Sequence, residues 1–290
     1  MLTEFEGKVA VVTGAASGIG RAMCEKFAGL GMNVVMADVE AERLRHSVEQ
    51  IEADGADGAE ALGVVVDVSR ADELSRLAEE TLDRFGGVHV LCNNAGVFAG
   101  GLTWDAIGTD WEWVLGVNLY GVLHGIRAFV PIMLEQNEPA HIVNTCSMAG
   151  LINTPLSGAY NVSKHAALSL TETLYQELRM KDSPVGCSAL CPELIRTGIA
   201  NSDRNRPPHL KRPEDAVTPE MEIVETAISS SIETGLDPSV MAERVYQGIK
   251  HDRFYLLAEE GTNWDAACLS RLEDIRLRRN PTIGAISGAN

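Results

Sequence analysis

Two tyrosine–lysine pairs with the same spacing are the first candidates for proton-transfer chemistry in this sequence. Tyr160 and Lys164 lie in YNVSK, and Tyr246 and Lys250 lie in YQGIK. On a helix, residues four positions apart share one face. A free phenol has a pKa of about 10, but a cation about 4 Å away at an effective dielectric of about 20 contributes about 4 kcal/mol, or about 3 pKa units. Either pair could therefore hold a tyrosine that exchanges protons near neutral pH.

The surroundings of the two pairs differ. Tyr160 lies 13 residues after Ser147, which ends an apolar, strand-like run, HIVNTCS. Because ligands gather at the carboxyl ends of parallel strands, Ser147 and Tyr160 are predicted to face one site. Tyr246 lies in the middle of a helical pattern, SVMAERVYQGIK, with no strand-end serine or threonine just before it. We therefore interpret Tyr246 and Lys250 as helix surface and packing, and Tyr160 as the working residue.

A glycine-rich segment, TGAASGIG (13–20), follows the first apolar run and precedes a helical pattern. Gly14 would permit a tight turn, Gly18 would let the backbone approach a phosphate, and Gly20 would let helix and strand pack closely. The N–H groups at the helix start would hold a pyrophosphate. Asp38 ends the second apolar run, where a carboxylate can accept both ribose hydroxyls. Glycines also end strands for structural reasons, and Asp38 could simply open a turn, but together they favour dinucleotide binding.

Asp38 also bears on which dinucleotide is bound. Its carboxylate would repel the 2′-phosphate of NADP. The two residues after it, Val39 and Glu40, include no arginine or lysine, and the loop carries Ser17 instead of a basic residue. The sequence therefore predicts NAD as the cofactor. Because the cellular NAD pool is mostly oxidised, the predicted direction is alcohol to ketone.

These residues must be positioned by alternating strands and helices. Seven short apolar, β-branched runs are predicted strands, at 8–13, 33–37, 61–66, 89–92, 141–146, 185–191 and 254–258. Helical patterns lie at 18–30, 40–53, 70–85, 111–135, 159–181 and 239–251. Near-continuous apolar strands indicate a sheet buried on both faces, which requires parallel strands with helical crossovers. The predicted fold is a doubly wound α/β Rossmann fold with a seven-stranded parallel sheet, in a single domain spanning 1–290.

The last third of the chain has a different texture. Residues 196–237 are polar and contain several prolines, with a helical pattern around 219–234. An excursion of this length beyond a sheet is predicted to be a lid over a binding site, with a plain surface excursion as the alternative. The tail, 262–290, would either pack on a neighbouring subunit or fray.

Composition argues against several classes of partner. The 290 residues include 24 Lys+Arg and 41 Asp+Glu, a formal charge of −17, which repels nucleic acid and anionic lipid. The start, Met1 to Lys8, is charged, and no uninterrupted apolar run approaches the ~20 residues of a membrane helix, so we expect a cytoplasmic protein. The six cysteines form no CxxC and the seven histidines show no ligand spacing, so neither a disulfide nor a metal site is predicted.

Taken together, the motifs resemble those of the short-chain dehydrogenase/reductase family, of its common NAD-binding type, over about residues 5–260. The matching motifs are TGAASGIG (13–20), DV (67–68), NNAG (93–96), Asn118, Ser147, YNVSK (160–164), and Pro192 with Thr197. The resemblance implies an oxidoreductase in which Tyr160 is the general acid/base and Ser147 binds the substrate oxygen. Lys164 would bind the nicotinamide ribose and lower the tyrosine pKa, and Asn118 would support a water chain that carries the proton to solvent.

The resemblance also implies a set of cofactor-binding positions in the glycine loop, at the strand ends and in the active-site helix. These are Gly14, Ser17, Gly18, Ile19, Gly20, Asp38, Asp67, Val68, Asn94, Ala95, Gly96, Tyr160, Lys164, Ile195 and Thr197. One position departs from the family pattern, because Pro-Gly usually follows the sixth strand and this chain has Pro192-Glu193. Either the loop differs locally or Glu193 helps shape the substrate entrance; we favour the former.

The residues expected near the substrate are mostly apolar: Met148, Leu151, Asn153, Leu156 and Met221. They indicate a hydrophobic secondary alcohol or ketone, although apolar residues here could equally be core. Three tryptophans at or before the long fourth helical pattern are interpreted as packing or a subunit contact: Trp104, Trp111 and Trp113. Relatives commonly pair this helix and the Tyr160 helix across a two-fold axis, which implies a homotetramer.

Two other functions remain open from the sequence. An NADPH-dependent carbonyl reductase would need a basic residue near Asp38, which the neighbouring sequence does not show. A non-catalytic NAD-binding sensor or scaffold could keep the glycine loop and lose the catalytic groups. Because Asn118, Ser147, Tyr160 and Lys164 are all present, the enzyme is the favoured interpretation.

Overall fold

Seven parallel strands form one sheet in the computed structural model, which describes residues 1–56 and 58–282. Their order across the sheet is β3-β2-β1-β4-β5-β6-β7, so the direction of winding reverses between β1 and β4. The strands are β1 (Val9–Thr13), β2 (Asn33–Asp38), β3 (Ala61–Val65), β4 (Val90–Asn93), β5 (Ala140–Thr145), β6 (Val185–Leu190) and β7 (Tyr255–Leu256). The predicted doubly wound α/β fold is confirmed, and each predicted run overlaps a strand.

Nine α-helices connect and flank these strands in the described part of the chain. They are α1 (Gly18–Gly29), α2 (Ala41–Asp54), α3 (Ala71–Phe85), α4 (Gly108–Leu115), α5 (Gly121–Gln136), α6 (Gly158–Met180), α7 (Pro219–Glu233), α8 (Pro238–Lys250) and α9 (Asn263–Leu277). The predicted helix 111–135 begins earlier and is α4 and α5 joined by a π-helical turn, Gly116–Tyr120. Helix α9 lies in the predicted tail, whose residues 283–290 are outside the described residues.

The sheet is buried on both faces, as the apolar strands predicted. In β1, Ala10 and Val12 belong to the core under α1, α2 and α8, which includes Phe27. Val9 and Val11, which alternate with them, belong to the core under α3, α5 and α6. Because β1 is fully buried on both sides, it holds the residues that follow its carboxyl end in a rigid frame.

The stretch Gly108–Gln136 is long and apolar enough, by length and composition alone, to cross a membrane. It lies against the sheet, where Phe129 and Met133 are fully buried, and it carries two buried polar residues, Asp110 and Asn118. One side of this stretch therefore packs in the core of the domain. Of the three tryptophans interpreted as packing, Trp113 is buried, Trp111 packs against the same cluster, and Trp104 is 77% exposed.

Residues 196–237 form an excursion whose two ends meet. The N–H of Arg196 donates to the carbonyl of Leu236 at 2.9 Å, and the N–H of Leu236 donates to the carbonyl of Leu194 at 3.0 Å. Between these ends lie three short 3-10 turns and α7, which falls almost where the helical pattern predicted it.

A buried ionic cluster holds the middle of the excursion against α4. Arg206 and Arg212 pair with Asp110 at 2.8 and 3.0 Å, and the Arg206 and Asp110 side chains are 1% and 2% exposed. The Arg206 guanidinium also lies 4.3 Å from the centre of the Trp113 ring. Removing Asp110 would take this partner away from both arginines, including the buried Arg206, so the cluster ties the excursion to the body of the domain.

Candidate active site

A cavity of about 610 Å³ opens at the carboxyl ends of the strands. Nearly all the predicted site residues line it: Gly14, Ser17, Gly18, Ile19, Asp38, Asp67, Val68, Asn94, Ala95, Gly96, Ser147, Tyr160, Lys164, Ile195 and Thr197. Two predicted residues, Gly20 and Asn118, are buried and do not line it. The cavity lies where β1 and β4 separate the two halves of the sheet, which is where doubly wound folds bind ligands.

The glycine loop requires small residues at two places for different reasons. Gly14 has a φ of +65°, and a Cβ there would lie 2.9 Å from Cα of Ala95, so the turn after β1 excludes a side chain. Gly20 faces the carbonyl of Gly14, which a Cβ would approach to within 2.2 Å. The close approach of α1 to the end of β1 therefore depends on Gly20, as its predicted packing role required.

Asp38 joins the end of β2 to the glycine loop. Its Oδ2 accepts the N–H of Ala16 at 2.9 Å, and its Oδ1 accepts the N–H of Glu40 at 2.9 Å. Burial raises the pKa of the Asp38 carboxyl above its ordinary value, and the two backbone hydrogen bonds act in the opposite direction. The carboxylate is thus held in one orientation at the edge of the cavity.

The segment after β4 is tied to both neighbouring strands. Thr13 Oγ1 accepts the N–H groups of Asn94 and Ala95 at 2.9 and 3.1 Å. The Asn94 side chain donates to the carbonyl of Thr13 at 3.0 Å and accepts from the Thr145 hydroxyl at 3.2 Å. These contacts fix the wall of the cavity at the point where the winding reverses.

Ser147, Tyr160 and Lys164 meet in the same cavity. The Ser147 hydroxyl accepts the N–H of Ala149 at 3.1 Å, which caps a short 3-10 turn after β5. Tyr160 is in the first turn of α6, and Phe98 packs edge-on against its ring at 5.2 Å between centroids. Lys164 is 2% exposed and donates to the carbonyl of Thr145 at 2.9 Å.

The ionisation of this pair differs from the sequence-based expectation. Burial raises the pKa of Tyr160, a hydrogen bond to Ser147 lowers it, and the neighbouring Cys146 raises it. Burial lowers the pKa of Lys164 to about 8. The expected fall of about 3 units assumed a cation about 4 Å from the phenol, but the lysine is bonded to the Thr145 carbonyl and lies 5.8 Å from the ring centre. The protein's own groups therefore favour the protonated phenol.

Asn118 occupies the π-helical turn between α4 and α5. Its Oδ1 accepts the N–H of Val97 at 2.8 Å, and its Nδ2 donates to the carbonyl of Val97 and to Ser163 Oγ at 2.9 and 3.0 Å. Ser163 Oγ in turn donates to the carbonyl of Tyr160 at 2.8 Å. The Asn118 amide therefore links three parts of the site, and a π turn at such a place is typical of functional helices.

Tyr246 and Lys250 have almost the same mutual geometry as the active-site pair, with the ammonium 5.7 Å from the ring centre. Their surroundings differ. Tyr246 packs on Phe5 at 5.3 Å, lies under the Lys26 ammonium at 4.5 Å, and does not line the cavity. The interpretation of this pair as helix packing is confirmed by these contacts.

The residues that line the cavity where the substrate is expected differ from those that the sequence predicted. Among the five residues expected there, only Met148 lines the cavity. Leu151 packs against a buried cluster, and Met221 is buried. Asn153 is exposed, and Leu156 lies outside the lining. Adjacency to Ser147 in sequence was a poor guide because the segment after the 3-10 turn borders the cavity with other residues, Ile152, Thr154 and Ser157. The apolar lining comes instead from separate elements: Phe98, Ile152, Leu210, Ile228, Ile232 and Trp264.

Glu193 stands where the family usually has glycine, and its side chain is engaged with α8. Its two carboxylate oxygens accept from Arg244 at 2.7 and 2.9 Å, and the two side chains are 9% and 15% exposed. These contacts support the interpretation that the loop differs locally from the family pattern, because Arg244 on α8 neutralises the carboxylate. Glu193 also borders the cavity.

The sequence analysis missed Arg204, which the fold brings to the neighbourhood of Asp38. Its guanidinium donates to Glu40 Oε1 at 2.7 and 3.1 Å across a separation of 164 residues. No local pattern could have shown this contact, because it depends on how the excursion folds back over the sheet. The statement that no basic residue lies near Asp38 is therefore true of the sequence neighbourhood and wrong for the folded protein.

Comparison with known proteins identifies the family of this chain. The family model described as short chain dehydrogenase matches residues 8–208. The crystal structure of a short chain dehydrogenase/reductase from Burkholderia phymatum in complex with NAD is 48% identical in sequence, has a TM-score of 0.93, and is matched over 97% of this chain and 98% of that chain.

Curated relatives agree with the family model. A CLA biosynthesis dehydrogenase/reductase of Lactiplantibacillus plantarum is 29% identical, over 98% of this chain and 96% of its own length. A 1-deoxy-11-beta-hydroxypentalenate dehydrogenase of Streptomyces arenae is 36% identical, over 87% of this chain and 82% of its own length. With its fold and motifs, these matches show that the chain belongs to the short chain dehydrogenase family and is an oxidoreductase.

Proposed function

We propose that this oxidoreductase transfers a hydride between NAD and a hydrophobic secondary alcohol or ketone, working in the direction of alcohol oxidation. The observation that carries the proposal is a shared cavity. Ser147, Tyr160 and Lys164 line the same cavity as the glycine loop and Asp38, so a proton-transfer group and a dinucleotide cradle face one space.

The residues around the cavity fit a dinucleotide. The Ser17 side chain makes no capping hydrogen bond at the start of α1, which leaves the helix N–H groups to an anionic ligand such as a pyrophosphate. The Asp38 carboxylate, held at the end of β2, is placed to accept ribose hydroxyls and to repel a 2′-phosphate. The structural neighbour from Burkholderia phymatum is in complex with NAD, which supports the choice of NAD.

NAD, when bound, supplies a hydride acceptor at its nicotinamide ring. The Tyr160 phenol must first lose its proton, which the positive charges of the Lys164 ammonium and of the bound nicotinamide would favour. The phenolate would then take the hydroxyl proton from the alcohol, and Ser147 would hydrogen-bond the same oxygen and orient it. Lys164 would also hold the nicotinamide ribose. Asn118 holds the backbone of α6 through Ser163, so that Tyr160 keeps its place in the cavity.

The apolar wall of the cavity supports a lipophilic substrate. Phe98, Ile228, Ile232 and Trp264 contribute to it from three different parts of the chain, since both isoleucines belong to α7. The Streptomyces arenae relative is a dehydrogenase of a hydroxypentalenate, which supports an alcohol as the reacting group here.

We also propose how the chain is organised around this chemistry. Residues 196–237 act as a lid, since residues of the excursion line the cavity together with the glycine loop. The protein works in the cytoplasm as a homotetramer, and its formal charge of −17 makes nucleic acid and membrane surfaces poor partners.

The function is tested by Tyr160→Phe, with Tyr246→Phe as the matched control. We expect Tyr160→Phe to lower turnover by a factor of about 10² to 10⁴, the range of general acid/base catalysis, because the phenylalanine cannot carry the proton. NAD binding should survive. Turnover is measured by absorbance of the reduced nicotinamide with a panel of lipophilic secondary alcohols, and binding by calorimetry with NAD.

The control separates chemistry from packing, because both substitutions remove one hydroxyl from a tyrosine four residues before a lysine. Tyr246→Phe should keep nearly full activity. Equal losses from the two substitutions would contradict the role of Tyr160. Binding of NAD without turnover of any alcohol or ketone by the unaltered protein would instead favour a sensor or scaffold.

A further inference from the structure

Glu40 is bound by two residues of the excursion. Its Oε1 accepts from Nε and Nη2 of Arg204 at 3.1 and 2.7 Å and from the side-chain amide of Asn205 at 2.9 Å. Its Oε2 lies 3.2 Å from Nε of Arg43 on α2. Partial burial alone would raise the pKa of Glu40, but the hydrogen bonds from Arg204 and Asn205 lower it below its ordinary value. The Glu40 carboxylate is therefore charged at neutral pH.

The Arg204 guanidinium is held in place on its other side as well. Its Nη1 donates to the carbonyl oxygens of Gly198 and Asn201 at 3.0 and 2.5 Å. The side chain is 23% exposed, and that of Glu40 is 18% exposed. Arg204 is thus a cation held in one position, because Nη1 donates to its own segment while Nε and Nη2 donate to Glu40. The Nε and Nη2 side of a guanidinium is a fork that matches a carboxylate or a phosphate.

This pair lies beside the carboxylate assigned to the cofactor ribose. Glu40 is two residues after Asp38, and its N–H donates to Asp38 Oδ1 at 2.9 Å. Asp38, Glu40, Arg204 and Asn205 all line the one cavity that also contains the glycine loop. Any group attached to the ribose hydroxyls at Asp38 would therefore be close to Glu40 and to the guanidinium that Glu40 neutralises.

We propose that Glu40 and Arg204 form a second determinant of cofactor specificity beside Asp38. Glu40 neutralises Arg204, an excursion cation that lines the cavity, and it adds a second carboxylate to the surface that a 2′-phosphate would meet. Arg204 is a latent phosphate ligand that becomes available when both carboxylates lose their charge. The inference rests on the proposed binding of NAD in this cavity.

The test compares the binding of NADH and NADPH by variants, measured by fluorescence of the bound reduced nicotinamide. Asp38→Ser alone should weaken the preference for NADH. Adding Glu40→Gln keeps the size of the side chain and its hydrogen bond to Arg204 while removing its charge. We expect Asp38→Ser with Glu40→Gln to bind NADPH about tenfold more tightly than Asp38→Ser alone, because a charge-assisted contact is gained.

The third substitution decides whether Arg204 is responsible. Arg204→Gln in the double variant should cancel the gain for NADPH. Arg43→Gln is the matched control, since Arg43 also contacts Glu40 but is 55% exposed on α2 and does not line the cavity; it should leave the gain intact. Circular dichroism and thermal unfolding check that each variant is folded, which the partly exposed positions of Glu40, Arg204 and Arg43 should allow and which matters most for the buried Asp38.

Three results would overturn the inference: no gain on adding Glu40→Gln, a gain that survives Arg204→Gln, or an equal loss with Arg43→Gln, which would indicate only a change in net charge. An unchanged NADH preference in Asp38→Ser has a different meaning. It would contradict the proposed role of Asp38 in NAD selection. The effect of Arg204→Gln is measured against the double variant, Asp38→Ser with Glu40→Gln, so it tests Arg204 whatever Asp38→Ser does alone.

Discussion

At the scale of single residues, the ionisation of Lys164 is the property that links the structure most directly to chemistry. The ammonium is 2% exposed and has one carbonyl partner, Thr145, which compensates only part of its desolvation. Its pKa falls to about 8, while burial raises the pKa of Tyr160. A lysine that we propose to bind the cofactor ribose is thus kept at a cost to the fold, which is common at functional sites.

The buried lysine predicts a pH dependence of stability. Between its folded pKa of about 8 and an unfolded pKa of 10.5, the unfolded chain binds more protons at this residue than the folded chain, so the free energy of unfolding rises with pH. Relative to Lys164→Met, the unaltered protein should gain roughly 3 kcal/mol across this window, at about 1.4 kcal/mol per pKa unit. Urea unfolding of both proteins from pH 7.5 to 10.5 measures the difference.

Both proteins in this comparison keep Tyr160, so its own titration cancels to first order. The raised pKa of Tyr160 acts in the opposite sense, because its contribution to stability is lost as the pH rises above its unfolded value of about 10. If the difference in free energy of unfolding between the two proteins stayed constant with pH, the lowered pKa of Lys164 in the folded protein would be contradicted.

Residue-level prediction from sequence succeeded where the relevant spacing is local. Gly14, Asp38, Ser147, Tyr160 and Lys164 were all predicted for one site and all line one cavity. The pKa of Tyr160 could not be predicted, because it depends on burial and on the position of the lysine. Contacts between distant segments, such as Arg204 with Glu40, also have no local signature.

At the scale of elements, the segment after β6 shows how a glycine position accepts a glutamate. Positive φ favours glycine, but Glu193 is not among the residues of the described chain that have positive φ. The side chain reaches α8 and pairs with Arg244 through two hydrogen bonds. The glutamate therefore ties the segment that borders the cavity to a helix on the flank of the sheet.

This tie predicts a strong coupling between the two side chains. Arg244→Met leaves a carboxylate that is 9% exposed without its partner and should destabilise the protein by about 3 kcal/mol. Adding Glu193→Ala should recover part of the loss, with a coupling energy of about 1 to 3 kcal/mol. Urea unfolding of the two single variants and the double variant measures it, and additive effects would contradict a direct ion pair.

Element boundaries were predicted best where the chain alternates regularly between strand and helix. The helical pattern at 219–234 corresponds to α7 at Pro219–Glu233, with proline in its first turn and Thr218 as its cap. The π-helical turn around Asn118 was not predicted, because its sequence, GVNLY, is ordinary for an α-helix. Helix α9 also escaped prediction, since its apolar residues do not concentrate on one face.

At the scale of the whole molecule, apolar surface remains on the helices that flank the active site. In Gly108–Gln136 only 39% of the most apolar window is buried, and Tyr120 at its centre is 50% exposed. On α6, Val162 is 49% exposed two residues after Tyr160. Covering such surface with a second copy is favourable because burial of apolar area contributes about 25 cal/mol per Å², and this gain must outweigh the repulsion between two chains of formal charge −17.

The proposed homotetramer is tested with one charge placed on this surface. Light scattering should give a mass of four chains of 31.2 kDa for the unaltered protein. Val162→Glu should shift it toward dimers or monomers, because a carboxylate at the centre of an apolar contact is desolvated without a partner.

Val240→Glu on α8 is the control: that valine is also exposed, at 39%, but lies away from α5 and α6, so the mass should not change. A monomeric unaltered protein, or equal effects of the two substitutions, would contradict assembly through α6. If the tetramer forms this way, the helix that carries Tyr160 is supported on one side by its own sheet and on the other by a second subunit, so Val162→Glu should also lower activity.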